Sequence, residues 1–192
     1  MERSAVRIFF DRCAPTWDDD LVRNEDVISI ILGNAGIRPG IDVLDVACGT
    51  GVLFPDYLSR GVASLTGIDI SPEMAKRAAA KFPEAEVICA DVESYPFEKQ
   101  FDAVVVYNAF PHFPDPAALI ERLAGLVKPG GRLTVAHGMS RASLLAHHSG
   151  AARDVSVELL EAGELAELFS KHFDVDTVIS DDRMYQVAGS RR

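Results

Sequence analysis

Several features that would place a protein in a broad class at once are missing from this sequence. It contains no apolar run close to the ~20 residues of a membrane-spanning helix. Its opening residues, 1–4, lack the apolar core of a signal peptide. Its three cysteines, Cys13, Cys48 and Cys89, are far apart and lack the spacing of a metal site. We therefore expect a cytoplasmic protein with no membrane span and with free thiols.

Basic residues are also scarce, with 19 Lys and Arg against 29 Asp and Glu and a formal net charge of -10. Binding to a nucleic-acid backbone needs clustered Lys and Arg, so we expect no nucleic-acid partner. The charge does not exclude a small molecule of either sign. The chain has 192 residues, 48% of them hydrophobic, which is enough to bury a sizeable core. No repeat, low-complexity tract or linker divides it, so we expect one domain over residues 1–192.

The most informative stretch is 43–51, which reads VLDVACGTG. Val43, Leu44 and Val46 form a short apolar run between turn signals, which is typical of an inner strand of a parallel sheet. Gly49 and Gly51 lack a Cβ, so the chain can turn tightly and a ligand can lie against bare backbone. A helix should begin just after this loop, with its free N–H groups facing the same ligand.

Two kinds of nucleoside ligand are compatible with a glycine loop after a first strand. A dinucleotide site requires G-x-G-x-x-G, and Phe54 occupies the third glycine position here. A pyrophosphate is also negatively charged, whereas residues 39–59 contain three aspartates and no Lys or Arg. S-adenosylmethionine carries a sulfonium and an ammonium against one carboxylate, so its net positive charge suits this acidic segment better.

The rest of the sequence alternates between β- and α-type patterns and then ends in two consecutive strands. Helices are predicted over residues 19–35, 52–60, 71–82 and 115–127, and from about 163 onwards. Strands are predicted over residues 43–46, 64–69, 86–90, 101–107, 132–136, 173–179 and 184–188. This alternation predicts an α/β fold with a doubly wound, mostly parallel sheet and an antiparallel hairpin at one edge.

We expect three parts along this domain. Residues 1–36 form an N-terminal helical cap, residues 37–136 a cofactor-binding core, and residues 137–192 an acceptor-side segment with the terminal hairpin. The cap contains dense aromatic residues over 9–17, which allow two interpretations. Either a helix covers the edge of the sheet, or this segment is a lid over the ligand, with Trp17 against a ring or an acceptor.

Three aspartates, Asp45, Asp69 and Asp91, lie at the ends of consecutive predicted strands. Ligands in such sheets bind beyond the carboxyl ends of the strands. Each carboxylate alone could be a surface acid or a helix cap, but three in register beside a glycine loop favour a binding site. In this interpretation Asp69 accepts both ribose hydroxyls and Asp91 accepts from an adenine amino group. Asp45 stabilises the loop and the cationic methionine end.

Neighbouring residues complete a nucleoside site in the same interpretation. The backbone N–H of Val92 meets a nitrogen of the adenine ring, and Ile70 and Met74 sandwich that ring. A helix begins between these two side chains, at Ser71-Pro72, with serine as the cap and proline in the first helical position.

Together these motifs resemble those of the class I S-adenosylmethionine-dependent methyltransferases. The first motif of that family resembles residues 43–51, its ribose acid resembles Asp69 in GIDIS, and its adenine acid resembles Asp91 in CADVESYPF. The strand at 101–113 and the turn LVKPGGRL that follows also match, so the resemblance covers about residues 40–136. Ala47 departs from the family pattern, which often has glycine there. The opening FFDRCAPTWD is similar to quinone-biosynthesis C-methyltransferases over a short stretch only.

The resemblance implies a seven-stranded sheet with its last strand antiparallel, and S-adenosylmethionine as the cofactor. It also implies methyl transfer to a small-molecule acceptor by in-line displacement. Because a sulfonium is already a good leaving group, the main contribution of the protein would be to hold the reactants in line. From the residues and the resemblance together, we assign cofactor binding to Asp45, Ala47, Gly49, Gly51, Asp69, Ile70, Met74, Asp91, Val92, Asn108 and Trp17.

Residues that follow the fourth and fifth strands should handle the acceptor. Asn108 ends strand four but is followed by Ala109-Phe110-Pro111, unlike the amino-group methyltransferase motif of Asn or Asp, two prolines and an aromatic residue. The sequence also has no Pro-Cys pair for attack on cytosine. These differences favour a small-molecule acceptor over a DNA base or a protein amide.

His112 and His137 follow these two strands, and each is a candidate catalytic base because histidine titrates near neutral pH. A structural or surface histidine is the alternative at both positions, and His137 is the stronger candidate because it follows its strand directly. A base is needed only if the acceptor must lose a proton. His147 and His148 could bind a metal with His137, but no Cys or acid is spaced to complete the set, so we expect no metal.

Two other functions are compatible with a glycine loop and acidic strand ends. One is a regulatory protein that binds S-adenosylmethionine or its demethylated product without turnover. The other is a nicotinamide-dependent dehydrogenase, which Phe54 and the acidic loop disfavour.

Overall fold

The structure is a computed structural model that describes residues 2–19, 21–148 and 153–192. Its centre is a seven-stranded sheet with the strand order β3-β2-β1-β4-β5-β7-β6. The strands are β1 Asp42–Val46, β2 Ser64–Asp69, β3 Glu86–Cys89, β4 Phe101–Tyr107, β5 Val127–His137, β6 Phe173–Ser180 and β7 Tyr185–Arg191.

The first five strands pair in parallel, and the last two form an antiparallel hairpin. β7 lies between β5 and β6 and is antiparallel to both, so β6 is the edge strand. The predicted doubly wound, mostly parallel sheet with an antiparallel last strand is therefore confirmed. Because the strand order reverses between β1 and β4, the carboxyl ends of these strands diverge there and leave a crevice.

The described residues contain seven helices, of which the first two precede β1. They are α1 Arg3–Cys13, α2 Glu25–Asn34, α3 Phe54–Ser59, α4 Pro72–Lys81, α5 Pro116–Ala124, α6 Arg141–His148 and α7 Ala162–Phe169. Short 3-10 turns lie at Ala14–Thr16, Phe110–His112 and Arg153–Val155. Within the described ranges, none of these helices combines the length and the apolar character that crossing a membrane requires.

Side-chain caps explain where several helices begin. Ser71 accepts a hydrogen bond from the Met74 N–H, and Asp115 accepts one from the Ala118 N–H, as the sequence predicts for α4 and α5. The helix predicted over 19–35 is wrong at its start. The observed helix, α2, begins at Glu25, because Asn24 has an extended backbone and its side chain caps the first turn.

The fifth strand is also longer than its predicted range, because it starts at Val127 instead of Arg132. Phe101 pairs with Val127, but Ala103 already pairs with Arg132, so the intervening turn residues form an irregularity within the strand. Gly131 is required there, since a Cβ would lie 2.8 Å from the Asp102 carbonyl oxygen.

Two apolar layers cover the faces of the sheet. Leu44 and Val46 of β1 belong to one core cluster, while Val43 belongs to the other, as the alternation of side chains along a strand requires. The inner strands are thus buried on both faces, and the polar groups of the crevice lie at the strand ends. The three cysteines form no disulfide.

Candidate functional site

A cleft opens at the carboxyl ends of β1, β2, β3 and β4, with about 1020 Å³ of space within it and its mouth. It lies at the reversal of strand order, where ligands of open α/β sheets bind. The predicted cofactor residues that line it are Ala47, Gly49, Asp69, Ile70, Met74, Asp91, Val92, Asn108 and Trp17. The predicted residues Asp45 and Gly51 are not in its wall.

The loop after β1 turns through left-handed backbone at Ala47, Gly49 and Gly51, with φ angles of 54°, 57° and 82°. A Cβ at Gly49 would meet no atom within 4 Å, so bare backbone faces the cleft there. A Cβ at Gly51 would lie 3.0 Å from the rings of Phe54 and Phe82. The two glycines therefore have different roles, and Gly51 is needed for packing beneath the loop.

Asp69 ends β2 and is fixed by the loops on either side of it. One carboxylate oxygen accepts the Gly49 N–H and the other accepts the Ser71 N–H, both at 2.8 Å. The residue is 7% exposed, and this burial raises its pKa to about 6, although the two backbone N–H groups act in the opposite direction. Each oxygen keeps a second lone pair, so Asp69 can accept two further donors from a ligand.

Asp45 lies beneath the glycine loop and is 2% exposed. Burial raises its pKa well above the ordinary range, and the nearby charge of Asp69 adds to the effect, while the Tyr57 hydroxyl acts against it. Sequence reasoning expected this acid to stabilise the loop and the cationic end of the ligand. Its position places it behind the wall, where it can act on the cleft through its charge.

Asp91 follows β3 and lines the cleft beside Val92. One of its oxygens accepts the Glu93 N–H at 3.0 Å, and the other is 2.8 Å from a guanidinium nitrogen of Arg3. The second terminal nitrogen of Arg3 pairs with the Glu93 carboxylate. Arg3 also lines the cleft, and sequence reasoning missed it because no motif marks an arginine so far along the chain from β3.

Asn108 ends β4 with a left-handed backbone, at a φ of 54°. Its N–H donates to the Ala136 carbonyl and its side-chain oxygen accepts the Gly138 N–H, both at 2.9 Å, so it joins the ends of β4 and β5. Tyr107 precedes it and also lines the cleft. Tyr107 lies in the predicted strand 101–107, and its place at the strand end could have marked it as a site residue.

His112 is in the wall of the cleft, in the 3-10 turn after β4. Its Nδ1 is 2.8 Å from the Val155 carbonyl oxygen, and its ring meets the Phe10 ring edge-on at 4.8 Å between centroids. A carbonyl can only accept, so Nδ1 carries the hydrogen, and in the neutral ring Nε2 carries the lone pair.

His137 is fully buried at the end of β5 and does not line the cleft. Its ring packs edge-on against Tyr185 at 5.9 Å, because β5 continues its pairing with β7 as far as this residue. The structure thus brings His112, and not His137, to the cleft. His147 and His148 end α6, and their side chains lie outside the described residues. In the described part of the chain, no three His, Cys, Asp or Glu side chains form a metal-binding group.

Residues 3–19, which we call the N-terminal strap, consist of α1, the following 3-10 turn and a few further residues. Val6, Phe10 and Trp17 of the strap line the cleft, and the Phe10 and Trp17 rings are 5.8 Å apart. The strap therefore forms part of the wall of the cleft.

Comparison with known proteins agrees with this geometry. The family described as "Methyltransferase domain" matches residues 44–135, from β1 into β5. A ubiquinone biosynthesis O-methyltransferase of Xanthomonas campestris is 41% identical over 101 residues, which are 50% of this chain and 42% of that protein. A demethylmenaquinone methyltransferase of Renibacterium salmoninarum is 32% identical over 141 residues, which are 68% of this chain and 57% of that protein. The chain thus spans about half the length of the curated relatives it matches.

A solved structure has the same fold over the full length. The magnesium protoporphyrin IX methyltransferase of Synechocystis PCC 6803, with bound S-adenosylhomocysteine, superposes with a TM-score of 0.77 at 19% identity and covers 100% of both chains. The matched segment holds the glycine loop, Asp69 and Asp91, which line one cleft at the strand ends. The chain therefore contains a methyltransferase domain over residues 44–135, with the fold of a structure that binds S-adenosylhomocysteine.

Proposed function

We propose that this protein transfers the methyl group of S-adenosylmethionine to an uncharged, largely apolar small molecule. The observation that carries the proposal is the composition of the cleft, in which a polar end beside the glycine loop is continuous with an aromatic end under the strap. Curated relatives named for ubiquinone biosynthesis and for demethylmenaquinone support an acceptor of this type.

The polar end fits a nucleoside. Asp69 offers a free lone pair on each oxygen to the two ribose hydroxyls, and its fixed orientation means that little is lost in ordering it. Ile70 and Met74 flank the space next to it, where an adenine ring can lie between apolar groups. The Val92 N–H and the Asp91 carboxylate are the polar groups for the edge of that ring.

The charge of the cleft fits the cationic end of the cofactor. Asp69 lies in the wall and Asp45 beneath it, so the potential beside Gly49 is negative whenever these acids are ionised. Arg3 is the one Lys or Arg among the described lining residues. It belongs to α1, and its charge is neutralised by Asp91 and Glu93, which follow β3.

The acceptor end contains no charged side chain among the described lining residues. Phe10, Trp17 and Phe113 supply apolar ring surface, and Tyr107 and Asn108 supply polar groups. A carboxylate or phosphate on the acceptor would lose its hydration there without gaining a counter-charge. An uncharged ring system with a hydroxyl group meets both the apolar and the polar requirements.

When bound, the cofactor supplies an activated methyl group on a sulfonium. The strap and the β4 end hold the acceptor in place and exclude water, which is the main source of rate enhancement in such a reaction. Where the acceptor atom is a hydroxyl oxygen, we assign its proton to Nε2 of His112. The hydrogen bond from Nδ1 to Val155 fixes the tautomer and the orientation of the ring. His137 keeps a structural place behind the cleft in this proposal.

The experiment compares thermal stabilisation by S-adenosylmethionine, S-adenosylhomocysteine and NAD. We expect the first two to raise the melting temperature by several degrees at ligand concentrations about 100 times the Kd, and NAD to have no effect. Asp69→Ala should abolish the shift, while Asp182→Ala, which removes an exposed carboxylate from the β6–β7 turn, should keep it. Equal stabilisation by NAD would contradict the cofactor site.

The acceptor class is tested by transfer of a labelled methyl group to paired phenolic compounds, each with and without a carboxylate. We expect product from the uncharged members only, and a large loss of kcat in His112→Ala. Binding of S-adenosylmethionine without transfer to any member would favour a regulatory protein instead.

A further inference from the structure

The N-terminal strap is attached to the cleft by polar anchors that the aromatic contacts do not require. The first is Asp18, near the end of the strap. One of its oxygens accepts the Thr50 hydroxyl at 2.6 Å, and the other is 2.8 Å from the Lys81 ammonium. Thr50 is fully buried in the glycine loop between Gly49 and Gly51, so this anchor holds the strap to the loop after β1.

The second anchor is Asp11, on α1. It accepts the Ser71 hydroxyl at 2.6 Å and the Glu73 N–H at 3.3 Å. The N–H of the same Ser71 donates to Asp69. A single residue therefore links the strap to the acid that receives the ribose, at the end of β2.

The third anchor is Arg3, at the start of α1, which pairs with Asp91 and Glu93 after β3. The three anchors thus attach to the ends of three neighbouring strands, in the same three segments that form the polar end of the cleft. Each anchor therefore contacts a residue that lines the cleft or lies directly beside one that does.

The strap also forms part of the aromatic end of the cleft. Phe10 lies one residue before Asp11 and contacts both Trp17 and His112, while Trp17 lies one residue before Asp18. Because Phe10 and Trp17 are the chain neighbours of Asp11 and Asp18, release of either aspartate would also displace the aromatic wall of the cleft. The polar end and the aromatic end are joined through one short segment of chain.

We propose that Asp11 and Asp18 are positioning residues that hold the aromatic wall closed over bound cofactor, so that cofactor occupancy and assembly of the acceptor site are coupled. The coupling to the acceptor rests on the proposed function, whereas the closure over the cofactor does not. The strap is attached to the three segments that form the polar end, so it has to release before the cofactor or its demethylated product can leave. Partly exposed charged anchors suit this role because water and salt can replace them.

The test measures release of tritium-labelled S-adenosylhomocysteine from the full chain, together with the emission of Trp17. The sequence contains a single tryptophan, so its emission reports on the strap alone. The variants are Asp11→Ala, Asp18→Ala and both together. Asp19→Ala is the matched control, because it removes an exposed carboxylate next to Asp18 that holds no anchor, and Asp11→Asn keeps an oxygen acceptor for Ser71.

We expect the product to leave the double variant about tenfold faster than the wild type, as the loss of such hydrogen bonds implies. Trp17 emission in the product-bound double variant should shift to longer wavelength because the ring becomes more exposed. Asp11→Asn should restore slow release, and Asp19→Ala should behave as the wild type. Raising the salt from about 0.05 to 0.5 M should speed release more from the wild type than from the double variant, which keeps only the Arg3 ion pairs.

Wild-type release and unchanged Trp17 emission in the double variant would overturn the proposal, and so would equal effects in Asp19→Ala. If the double variant does not fold, the single variants decide, because wild-type release and unchanged Trp17 emission in both Asp11→Ala and Asp18→Ala would overturn the proposal. Failure of the wild type to bind S-adenosylhomocysteine would instead contradict the cofactor assignment. Normal binding of S-adenosylhomocysteine with no methyl transfer would contradict the proposed function, but it would not contradict closure of the strap over the cofactor.

Discussion

At the scale of single residues, Asp69 connects burial to function. Its carboxylate is oriented by Gly49 and Ser71 and has a pKa raised to about 6, chiefly because it is removed from water. The ionised carboxylate accepts hydrogen bonds at both oxygens, whereas protonation turns one oxygen into a donor and weakens acceptance of a ligand hydroxyl. The pH dependence of cofactor binding should therefore report on this residue.

We predict that affinity for S-adenosylhomocysteine is constant above pH 7 and falls by about tenfold at pH 5, as protonation of a group with this pKa requires. Binding near pH 6 should release protons, because the bound hydroxyls favour the ionised carboxylate and lower its pKa. Isothermal titration calorimetry in buffers of different ionisation enthalpy measures both effects. Asp69→Asn should bind weakly and lose the slope between pH 5 and 7. An unchanged slope in that variant would assign the effect to another group.

At the scale of elements, the loop after β1 shows that two glycines in one motif can serve different purposes. Gly49 exposes its backbone to the cleft, whereas Gly51 makes room for the Phe54 and Phe82 rings of α3 and the end of α4. Both have positive φ, so any side chain adds backbone strain. Only one of the two substitutions places a methyl group in the ligand space.

We predict that Gly51→Ala lowers the free energy of unfolding by about 2 kcal/mol or more, because strain and overlap with two rings add together. Gly49→Ala should cost about 1 kcal/mol, from strain alone, yet weaken cofactor binding more strongly. Urea denaturation and titration with S-adenosylhomocysteine separate the two effects. The reverse ranking, with Gly49 more important for stability, would contradict the assignment of their roles.

The elements also show what the sequence could and could not reveal. Strand β4 and the starts of α4 and α5 were predictable, because their signals are local: a β-branched run, and Ser71 or Asp115 before proline. The meeting of Asp69 and Asp91 in one cleft was predictable from their register at strand ends. Arg3 was not predictable, because its place at the cleft arises from ion pairs across the fold. His137 was ranked above His112 because sequence position cannot tell which ring the sheet pairing buries.

At the scale of the whole molecule, two groups of carboxylates act on stability in opposite directions. Asp69 and Asp45 are buried, so their pKa values are raised and ionisation disfavours the folded state. Asp42, Asp102 and Asp176 have lowered pKa values; hydrogen bonds to Lys128 or Arg132 contribute to this, and ionisation favours the folded state. The net charge of -10 adds general repulsion at neutral pH.

The sign of each effect follows from linkage between protonation and folding. The buried acids bind more protons in the folded state between the unfolded pKa of about 3.9 and their raised values, so stability falls as the pH rises across that range. The paired acids lose their contribution as the pH falls below the same unfolded value. The free protein should therefore be most stable in mildly acidic solution and less stable at pH 7.

We predict that urea denaturation of the ligand-free protein gives a maximum in the free energy of unfolding between about pH 4 and 6. Asp45→Asn should increase stability at pH 7, because the neutral amide of the same shape removes the cost of burying a charge, and it should flatten the decline from pH 5 to 7. Asp182→Asn, at an exposed position, should keep the wild-type profile. A wild-type profile that rises steadily to pH 7 would show that the paired acids dominate, and that Asp45 and Asp69 do not strain the folded chain.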